Sequence, residues 1–187
     1  MDLDRKTFLA GAALALLTPG SKAFSAATPI THLPNSKVRR FAWTIDDGVS
    51  SSAVRSYLNL AETTNHEFTF FVTSCYPAWR KNSSQIKDLL SQGKIQLANH
   101  THSHRNLIDE FGYDPRPYFR PTYGYWNQRV LDLAGQMGYT MPVMWYGTLG
   151  DSGNQGTKKL LDLASKWISN GRIVIDHANQ SKTAYEI

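Results

Sequence analysis

Apolar runs of strand length alternate with segments of helical periodicity along the chain beyond Pro34. The clearest run is 68–73, which is continuously aromatic and β-branched and is typical of a strand buried on both faces. Further strands are predicted at 38–45, 94–98, 117–119, 139–145 and 172–175. Helices are predicted from the serines at 50–52 to about 63, from 83 or 84 up to Gly93, and over 127–137 and 157–168. This alternation predicts parallel βαβ units, arranged as an open sheet or closed into a barrel.

Polar residues collect where the predicted strands end. Two adjacent aspartates follow the first strand, a histidine cluster follows the third, and a short polar segment follows the fourth. The carboxyl ends of parallel strands lie on one face of a sheet or barrel, so these residues are expected to converge there. The residues that define this predicted site are Asp46, Asp47, His100, His104, Arg120, Tyr123, Asp151 and His177.

Two of the histidines have the spacing of metal ligands. His100 and His104 are four residues apart, which places both imidazoles on one side of a helical turn. A carboxylate from another strand would complete a three-ligand site with a position left for water. This set suits zinc or a similar divalent ion, which lowers the pKa of bound water from about 15.7 towards 7. The spacing alone is more often found in a surface cluster without a ligand, but the paired aspartates favour a metal-dependent hydrolase.

The composition narrows the classes of function. The chain has 187 residues, enough for one domain, and Lys plus Arg exceed Asp plus Glu by 20 to 15. No basic run exceeds two residues, so binding to nucleic acid is not expected. The single cysteine, Cys75, excludes an internal disulfide and a multi-cysteine zinc site. Any metal must therefore be held by histidines and carboxylates.

The first 27 residues have the pattern of an export signal. Arg5 and Lys6 precede an apolar run at 10–17, and small residues at 25–27 offer a cleavage site. The string from Arg5 to Leu9 also resembles a twin-arginine signal with lysine in the second position. The alternative is an uncleaved N-terminal anchor, although the run is shorter than the ~20 residues that span a bilayer. We therefore expect export to the periplasm or outside of a bacterial cell, no stable membrane span after processing, a linker at 28–37 and one domain at 38–187.

Four motifs occur in order along the chain: Thr44-Ile45-Asp46-Asp47-Gly48, His100-Thr101-His102-Ser103-His104, Arg120-Pro121-Thr122-Tyr123 and Ile175-Asp176-His177. With these motifs the sequence resembles the polysaccharide deacetylases, carbohydrate esterase family four, also called the nodulation-deacetylase homology domain, over roughly 37–177. The resemblance implies an α/β fold, a distorted and incomplete (β/α) barrel of parallel strands. It also implies removal of acetyl groups, N-acetyl in preference to O-acetyl, from a polysaccharide such as peptidoglycan, chitin or xylan.

The resemblance implies a metal site and a general base. By resemblance, Asp47, His100 and His104 hold one divalent ion, with zinc preferred. Asp46 is then the general base, and Arg120 orients its carboxylate. Two adjacent carboxylates can differ in role in this way, since one can bind metal while its neighbour faces the attacking water.

The resemblance also implies a general acid and an oxyanion donor. By resemblance, His177 protonates the leaving amine or alcohol, and Asp151 is the acidic residue that tunes this histidine. The backbone N–H of Tyr123 would help to hold the oxyanion of the reaction. All of these residues follow predicted strands, as the barrel requires.

Three departures from the family pattern predict a pruned scaffold. Asp151 is followed by Ser152 where the family usually has tryptophan, so one aromatic wall of the pocket is expected to be missing. Only about 15 residues separate His104 from Arg120, where the family carries a full helix. The sequence also ends ten residues after His177. An apolar side of the barrel left uncovered in this way would favour either a homo-oligomer that uses the open side as its interface or a poorly stable, weakly active monomer.

Two other functions are consistent with parts of the pattern. A carbohydrate-binding pseudo-enzyme could use the same scaffold, although the complete set of aspartate, histidine and arginine motifs favours an enzyme. A metal-storage or metal-sensing protein could be built on the histidine cluster, but it would need neither Arg120 nor Tyr123 nor His177. Metal-dependent deacetylation of an acetylated glycan is therefore the predicted function.

Overall fold

The computed structural model of the chain describes residues 27–100, 111–153 and 155–180. Its strands are β1 (Ala42–Asp47), β2 (Phe68–Val72), β3 (Ile95–Asn99), β4 (Tyr118–Phe119), β5 (Met141–Pro142), β6 (Gly147–Thr148) and β7 (Ile173–His177). Its helices are α1 (Ser51–Thr63), α2 (Pro77–Lys81), α3 (Ser83–Ser91), α4 (Gln128–Gln136) and α5 (Thr157–Trp167), and a 3₁₀ turn covers Thr122–Gly124. In this part of the chain, no helix is both long enough and apolar enough to cross a membrane.

The seven strands form one sheet in the order β5-β4-β3-β2-β1-β7-β6, and every pair is parallel. The sheet curls into a half-barrel, which confirms the predicted incomplete (β/α) barrel. Because all strands run in the same direction, their carboxyl ends lie along one rim. The polar residues that end or follow these strands are therefore brought to the same side of the domain.

The two faces of the sheet carry different cores. The outer face packs against α1, α2 and α3 in the larger apolar cluster, in which Tyr57, Phe70 and Trp79 are buried. A smaller cluster that includes Ala42 and Phe71 lies on the inner face. Since alternate residues of a strand point to opposite faces, the even-numbered residues of β1 face the inside of the half-barrel. An inward-facing polar side chain at the carboxyl end of β1 therefore lies at the mouth of the half-barrel.

Two helices begin within a residue of the predicted starts, and each has a side-chain cap. The Ser50 side chain accepts a hydrogen bond from the N–H of Ala53 at the start of α1. The Asn127 side chain accepts from the N–H of Val130 at the start of α4. Each cap satisfies one of the N–H groups that a helix start leaves without an intrahelical partner. These local signals fix where both helices leave the rim.

Three elements differ from the sequence prediction. β1 begins at Ala42 and not at 38, because the N–H of Arg40 donates to the Asn170 side chain instead of a strand. The predicted strand at 139–145 is reduced to β5, and a separate strand, β6, follows it. The prediction also omits α2, which has Pro77 in its first turn, a position where the fixed φ of proline favours a helix start.

The segment 28–37, predicted to be a linker, lies against the domain at several points. Ile30 forms a parallel bridge with Val143, and His32 forms an antiparallel bridge with Arg172. Leu33 is buried in the inner cluster. This segment therefore contributes to the fold. Residues 1–26 of the predicted export signal and the predicted short connection after His104 up to residue 110 lie outside the described residues.

Candidate active site

The rim at the carboxyl ends of the strands brings the predicted site residues together. Asp46 lies opposite His177 in the pairing of β1 with β7. His100 follows the last residue of β3, and Arg120 follows the last residue of β4. The backbone N–H groups of His100 and Arg120 donate to carbonyl oxygens of the adjacent strands at 3.1 and 2.9 Å. The hydrogen bonds between the strands therefore continue into the site and fix the backbone of His100 and Arg120.

A buried ion pair holds Asp46. Asp46 is 1% exposed and Arg120 is 0% exposed. Nη1 of Arg120 donates to Oδ1 of Asp46 at 2.5 Å and to Oγ1 of Thr44 at 3.0 Å. Burial lowers the pKa of the Arg120 guanidinium, and the charge and hydrogen bond of Asp46 oppose that shift. Each of these two buried charges depends on the other for compensation.

The Arg120 guanidinium is also held by the backbone on its far side. Nε donates to the carbonyl oxygen of Val143 at 2.8 Å, and Nη2 donates to that of Met144 at 3.2 Å. The guanidinium carbon lies 4.0 Å from the centre of the Phe71 ring. A planar group with several donors can make all these contacts at once, which an ammonium cannot. The geometry fits the predicted role of Arg120 in orienting Asp46.

His100 presents one ring nitrogen to both aspartates. Its Nδ1 lies 2.8 Å from the carbonyl oxygen of Arg120. A ring nitrogen that faces a carbonyl oxygen carries the proton, so in the neutral ring Nε2 keeps its lone pair. Nε2 lies 3.4 Å from Oδ2 of Asp46 and 3.5 Å from Oδ1 of Asp47. Histidines that bind metals are commonly oriented by such a contact from the other ring nitrogen.

Asp47 has a different environment from Asp46. Its backbone is left-handed, with a φ of 70°, which is uncommon for a residue other than glycine and occurs most often at functional sites. Nδ2 of Asn179 donates to Oδ2 of Asp47 at 2.7 Å, and the Thr73 hydroxyl donates to Oδ1 at 3.4 Å. The side chain is 25% exposed. An accessible carboxylate held by neutral donors suits a metal ligand better than the buried carboxylate of Asp46, which is already paired with a guanidinium.

The described residues supply part of the predicted metal site. Within the described ranges, no three His, Cys, Asp or Glu side chains form a complete metal-binding group. The third predicted ligand, His104, lies outside those ranges. Asp47 and His100 fit a divalent ion in donor type, because an anionic Oδ1 and an unprotonated Nε2 face each other across 3.5 Å. The identity of the ion as zinc stays a prediction.

His177 and Asp151 make a two-point contact. Nδ1 of His177 lies 2.9 Å from Oδ1 of Asp151, and the backbone N–H of His177 donates to Oδ2 at 2.7 Å. Burial lowers the pKa of His177, but the hydrogen bond and charge of Asp151 outweigh that effect and raise the pKa overall. Burial raises the pKa of Asp151, but hydrogen bonds from His177 and Asp176 outweigh it and lower the pKa overall. The pair therefore favours a protonated His177 beside an ionised Asp151.

The segment after β4 is the most exposed part of the predicted site. Tyr123 has a φ of 56° within the 3₁₀ turn, and its side chain is 85% exposed. Tyr125 is also largely exposed, and Trp126 is partly exposed. The exposed ring of Tyr123 agrees with a role for its backbone, and not its hydroxyl, in the predicted oxyanion contact, which stays a prediction.

A tryptophan supports the strained backbone that carries Asp47. Nε1 of Trp79 donates to the carbonyl oxygen of Asp47 at 2.8 Å. The next residue, Gly48, has a φ of 94°, and a Cβ at this position would overlap the Trp79 ring. Only glycine combines this φ with so close a contact. The position of Asp47 thus depends on Gly48 and on a residue of α2.

Replacing Gly48 by alanine is expected to lower the free energy of unfolding by about 1–3 kcal/mol, because the new Cβ must displace the Trp79 ring. Urea denaturation followed by tryptophan fluorescence would measure the loss. Gly153→Ala is the matched control, since a Cβ there meets no atom within 4 Å. The control should stay within about 0.5 kcal/mol of the wild type. Equal unfolding midpoints for the two variants would contradict the proposed support of Asp47.

Several residues of the site were not identified from the sequence. Asn179 holds Asp47, Thr44 accepts from Arg120, and Asp176 lies next to Asp151. Thr44 and Asp176 belong to the motifs, but the sequence pattern alone assigns them no role. A carboxylate inside the apolar strand Ile173–His177 is a signal that could have singled out Asp176, because a charged residue is rarely buried without a partner. The Asn179 contact depends on the turn after β7 and has no such signal.

The chain is similar to known proteins in sequence and in fold. The sequence profile described as polysaccharide deacetylase matches residues 34–116. A carbohydrate esterase family four pseudoenzyme from Bacillus anthracis superposes with a TM-score of 0.65 at 18% identity, covering 82% of this chain and 59% of that chain. The chain therefore spans about three fifths of the length of that protein. No curated protein sequence matches the chain.

Two further solved structures share the fold over most of both chains. The peptidoglycan deacetylase PdaC from Bacillus subtilis has a TM-score of 0.63 at 21% identity, covering 81% of this chain and 82% of that chain. A family 4 carbohydrate esterase from Streptomyces lividans, in complex with acetate, has a TM-score of 0.62 at 22% identity, covering 79% and 83%. The half-barrel and its rim define a parallel α/β domain with the fold of these solved structures. The family profile and this shared fold confirm the resemblance to the polysaccharide deacetylases of carbohydrate esterase family four.

Proposed function

We propose that the chain is a metal-dependent hydrolase that removes acetyl groups from a polysaccharide of the cell wall. The observation that carries the proposal is the pairing of Asp46 with His177 across β1 and β7. One is a carboxylate fixed by a buried arginine, and the other is a histidine kept protonated by Asp151. Hydrolysis of an amide or ester requires a base and an acid, which Asp46 and His177 supply from neighbouring strands, and His100 lies beside Asp46.

The proposed metal site uses two described residues and one further histidine. Asp47, His100 and His104 would hold one divalent ion, and zinc suits a set of two imidazoles and one carboxylate. The chemistry that such an ion supplies when bound is to acidify water and to polarise a carbonyl group. The orientation of His100 by the Arg120 carbonyl oxygen, at 2.8 Å, supports this assignment.

In the proposed reaction, Asp46 acts as the base and His177 acts as the acid. Oδ2 of Asp46 lies on the side of His100 and takes the proton of the attacking water, while Oδ1 stays on Arg120. The water oxygen adds to the acetyl carbon, and the bond from this carbon to the leaving atom then breaks. His177 gives its proton to the leaving atom from Nε2, since Nδ1 faces Asp151. The backbone N–H of Tyr123 would donate to the oxyanion.

We propose N-acetyl groups as the preferred substrate. An amine is a poor leaving group unless it is protonated as the bond breaks, whereas an alcohol leaves more readily. A histidine whose pKa is raised stays protonated at neutral pH and suits this task. The proposed partner is therefore an N-acetylated glycan such as peptidoglycan. The export pattern of residues 1–27 supports a site of action outside the cytoplasm.

The second candidate is a carbohydrate-binding pseudo-enzyme on the same scaffold. It is favoured by the similarity to the pseudoenzyme from Bacillus anthracis. The intact Asp46–Arg120 and His177–Asp151 pairs argue against it, because glycan binding alone requires neither a buried ion pair nor an oriented histidine. The two candidates differ in whether acetate is released.

Removal of metal is expected to abolish acetate release, and one equivalent of Zn²⁺ per chain is expected to restore it. The test incubates the purified chain with a panel of acetylated glycans after chelation and after metal is added back. Acetate in the supernatant is the measurement, and elemental analysis gives the metal content. Full activity of a metal-free preparation would contradict the metal-dependent mechanism. Glycan binding without acetate release in the metal-loaded protein would favour the pseudo-enzyme.

A further inference from the structure

A second buried carboxyl group lies behind the His177–Asp151 pair. Asp176 is 0% exposed and sits on β7 with its side chain on the outer face, between β1 and α1. The Tyr57 hydroxyl and Nε1 of Trp43 both donate to its Oδ2, the latter at 3.2 Å. Burial at this depth favours the protonated form of a carboxyl group, unless charge partners or hydrogen bonds stabilise its ionised form.

The other oxygen of Asp176 faces Asp151. The backbone N–H of His177 donates to Oδ2 of Asp151 at 2.7 Å and to Oδ1 of Asp176 at 3.1 Å. Two carboxyl oxygens that accept from one N–H group are neighbours, which places Oδ2 of Asp151 and Oδ1 of Asp176 where one carboxyl group can donate a hydrogen bond to the other. A hydrogen bond between two carboxyl groups requires a proton on one of them.

The proton belongs on Asp176. Asp151 faces the protonated ring of His177, which favours the ionised form of Asp151. Asp176 has no such cation among the contacts above, because Tyr57 and Trp43 are neutral donors. Burial and the charge of Asp151 raise the pKa of Asp176 well above its ordinary value, although the hydrogen bonds from Tyr57 and Trp43 oppose this.

We propose that Asp176 is a positioning residue: it remains a neutral carboxylic acid, donates a hydrogen bond to Asp151, and so holds Asp151 against His177. Asp176, Asp151 and His177 form a continuous series of hydrogen bonds, which begins at Tyr57 of α1 and Trp43 of β1 and ends at the rim of the half-barrel. The effect of Asp176 on proton donation by His177 rests on the proposed function, whereas the series of hydrogen bonds does not. This series keeps the His177 ring in one orientation, with Nε2 towards the substrate.

Two substitutions distinguish a hydrogen-bond donor at position 176 from a residue that only packs in the core. Asp176→Asn keeps the shape and a donor, because its carbonyl oxygen can accept from Tyr57 while its NH₂ group donates to Asp151. Asp176→Leu keeps the branched shape of the side chain but removes the donor. Asp151→Asn removes the charged partner of His177, and its His177 pKa is the reference for that loss. Circular dichroism would check that each variant is folded.

The first measurement is an NMR titration of the His177 ring, which needs no enzymatic activity. The pKa of His177 is expected to stay at its wild-type value in Asp176→Asn and to fall towards that of Asp151→Asn in Asp176→Leu. A fall in Asp176→Asn as large as in Asp151→Asn would overturn the proposal, since it would mean that Asp176 carries a charge. An unchanged pKa in a folded Asp176→Leu would overturn it too. If the leucine variant does not fold, the asparagine variant decides alone.

The second measurement is kcat on two substrates, an N-acetyl glycan and an activated phenyl acetate. In Asp176→Leu, kcat on the N-acetyl substrate is expected to fall by about tenfold or more, the usual scale for an outer residue that orients a functional histidine. The phenyl acetate needs little protonation and should lose less. Equal losses on both would contradict the link from Asp176 to the acid. If the wild type releases no acetate, the proposed function fails while the NMR result still tests Asp176.

The third measurement is the dependence of stability on pH. Below the ordinary pKa of aspartate, Asp176 is protonated in both folded and unfolded chains. Above it, only the unfolded chain releases this proton, so the wild type loses stability as pH rises towards the raised pKa of the folded state. Asp176→Asn lacks this loss and should gain in Tm relative to the wild type from pH 4 to pH 7. The titratable groups facing Asp176, namely Tyr57, Asp151 and His177, are unchanged in this comparison. A constant Tm difference across this range would contradict a neutral Asp176.

Discussion

Replacing Asp46 by asparagine is expected to lower kcat for acetate release by ~100-fold or more, the usual scale for loss of a general base. Asparagine cannot take a proton from water at neutral pH. Its amide oxygen can still accept the hydrogen bond that Arg120 donates to Oδ1 at 2.5 Å, so we expect a folded variant of lower stability, because Arg120 loses its charge partner. Acetate release under saturating substrate would measure the loss, and elemental analysis should find the metal content unchanged.

Asp47→Asn is the matched control for this substitution. It changes the neighbouring carboxylate by the same chemical step, but it should reduce the metal content, because Asp47 is the accessible carboxylate 3.5 Å from Nε2 of His100. Activity of Asp47→Asn should recover in part at high concentrations of added metal, whereas that of Asp46→Asn should not. The opposite pattern, with metal lost from Asp46→Asn and retained by Asp47→Asn, would mean that the two roles are reversed.

The parts of the fold that the sequence predicts correctly carry strong local signals. The uninterrupted apolar run at 68–73 gives β2 its place in the middle of the sheet. Ser50 and Asn127 mark the starts of α1 and α4 because their side chains can accept from helix N–H groups. The convergence of the site could be predicted for a related reason. Once the strands are parallel, their carboxyl ends must share one rim.

The parts that the sequence does not predict depend on contacts between distant segments. β4, β5 and β6 have two residues each, and such short strands form only where neighbouring strands offer them hydrogen bonds. The predicted linker holds Leu33, whose burial depends on the inner face of the half-barrel, formed by strands much later in the chain. Asp176 is the clearest case in the site. Whether Asp176 is protonated depends on Asp151, Tyr57 and Trp43, which come from three separate segments of the chain.

Loss of the Arg120 side chain is expected to destabilise the fold strongly. Arg120→Met removes the guanidinium but keeps an unbranched apolar stem, and it leaves the carboxylate of Asp46 buried and uncompensated. Removal of one partner of a buried ion pair costs about 3–5 kcal/mol. In a chain of this size that loss corresponds to a decrease in Tm of roughly 10 °C. Thermal unfolding of Arg120→Met and of the wild type under identical conditions would measure it.

The double variant Asp46→Asn/Arg120→Met identifies the cause of this loss. If the uncompensated charge of Asp46 is responsible, removing that charge should return part of the lost stability, so the double variant should unfold above Arg120→Met. If the loss came only from the hydrogen bonds of Arg120 to Val143 and Met144, the double variant would be no more stable than the single one. Arg120→Lys keeps a charge but loses the planar donor group, so it should retain part of the stability and still lower kcat by loosening Asp46. A lysine variant with wild-type kcat would contradict the orienting role of Arg120.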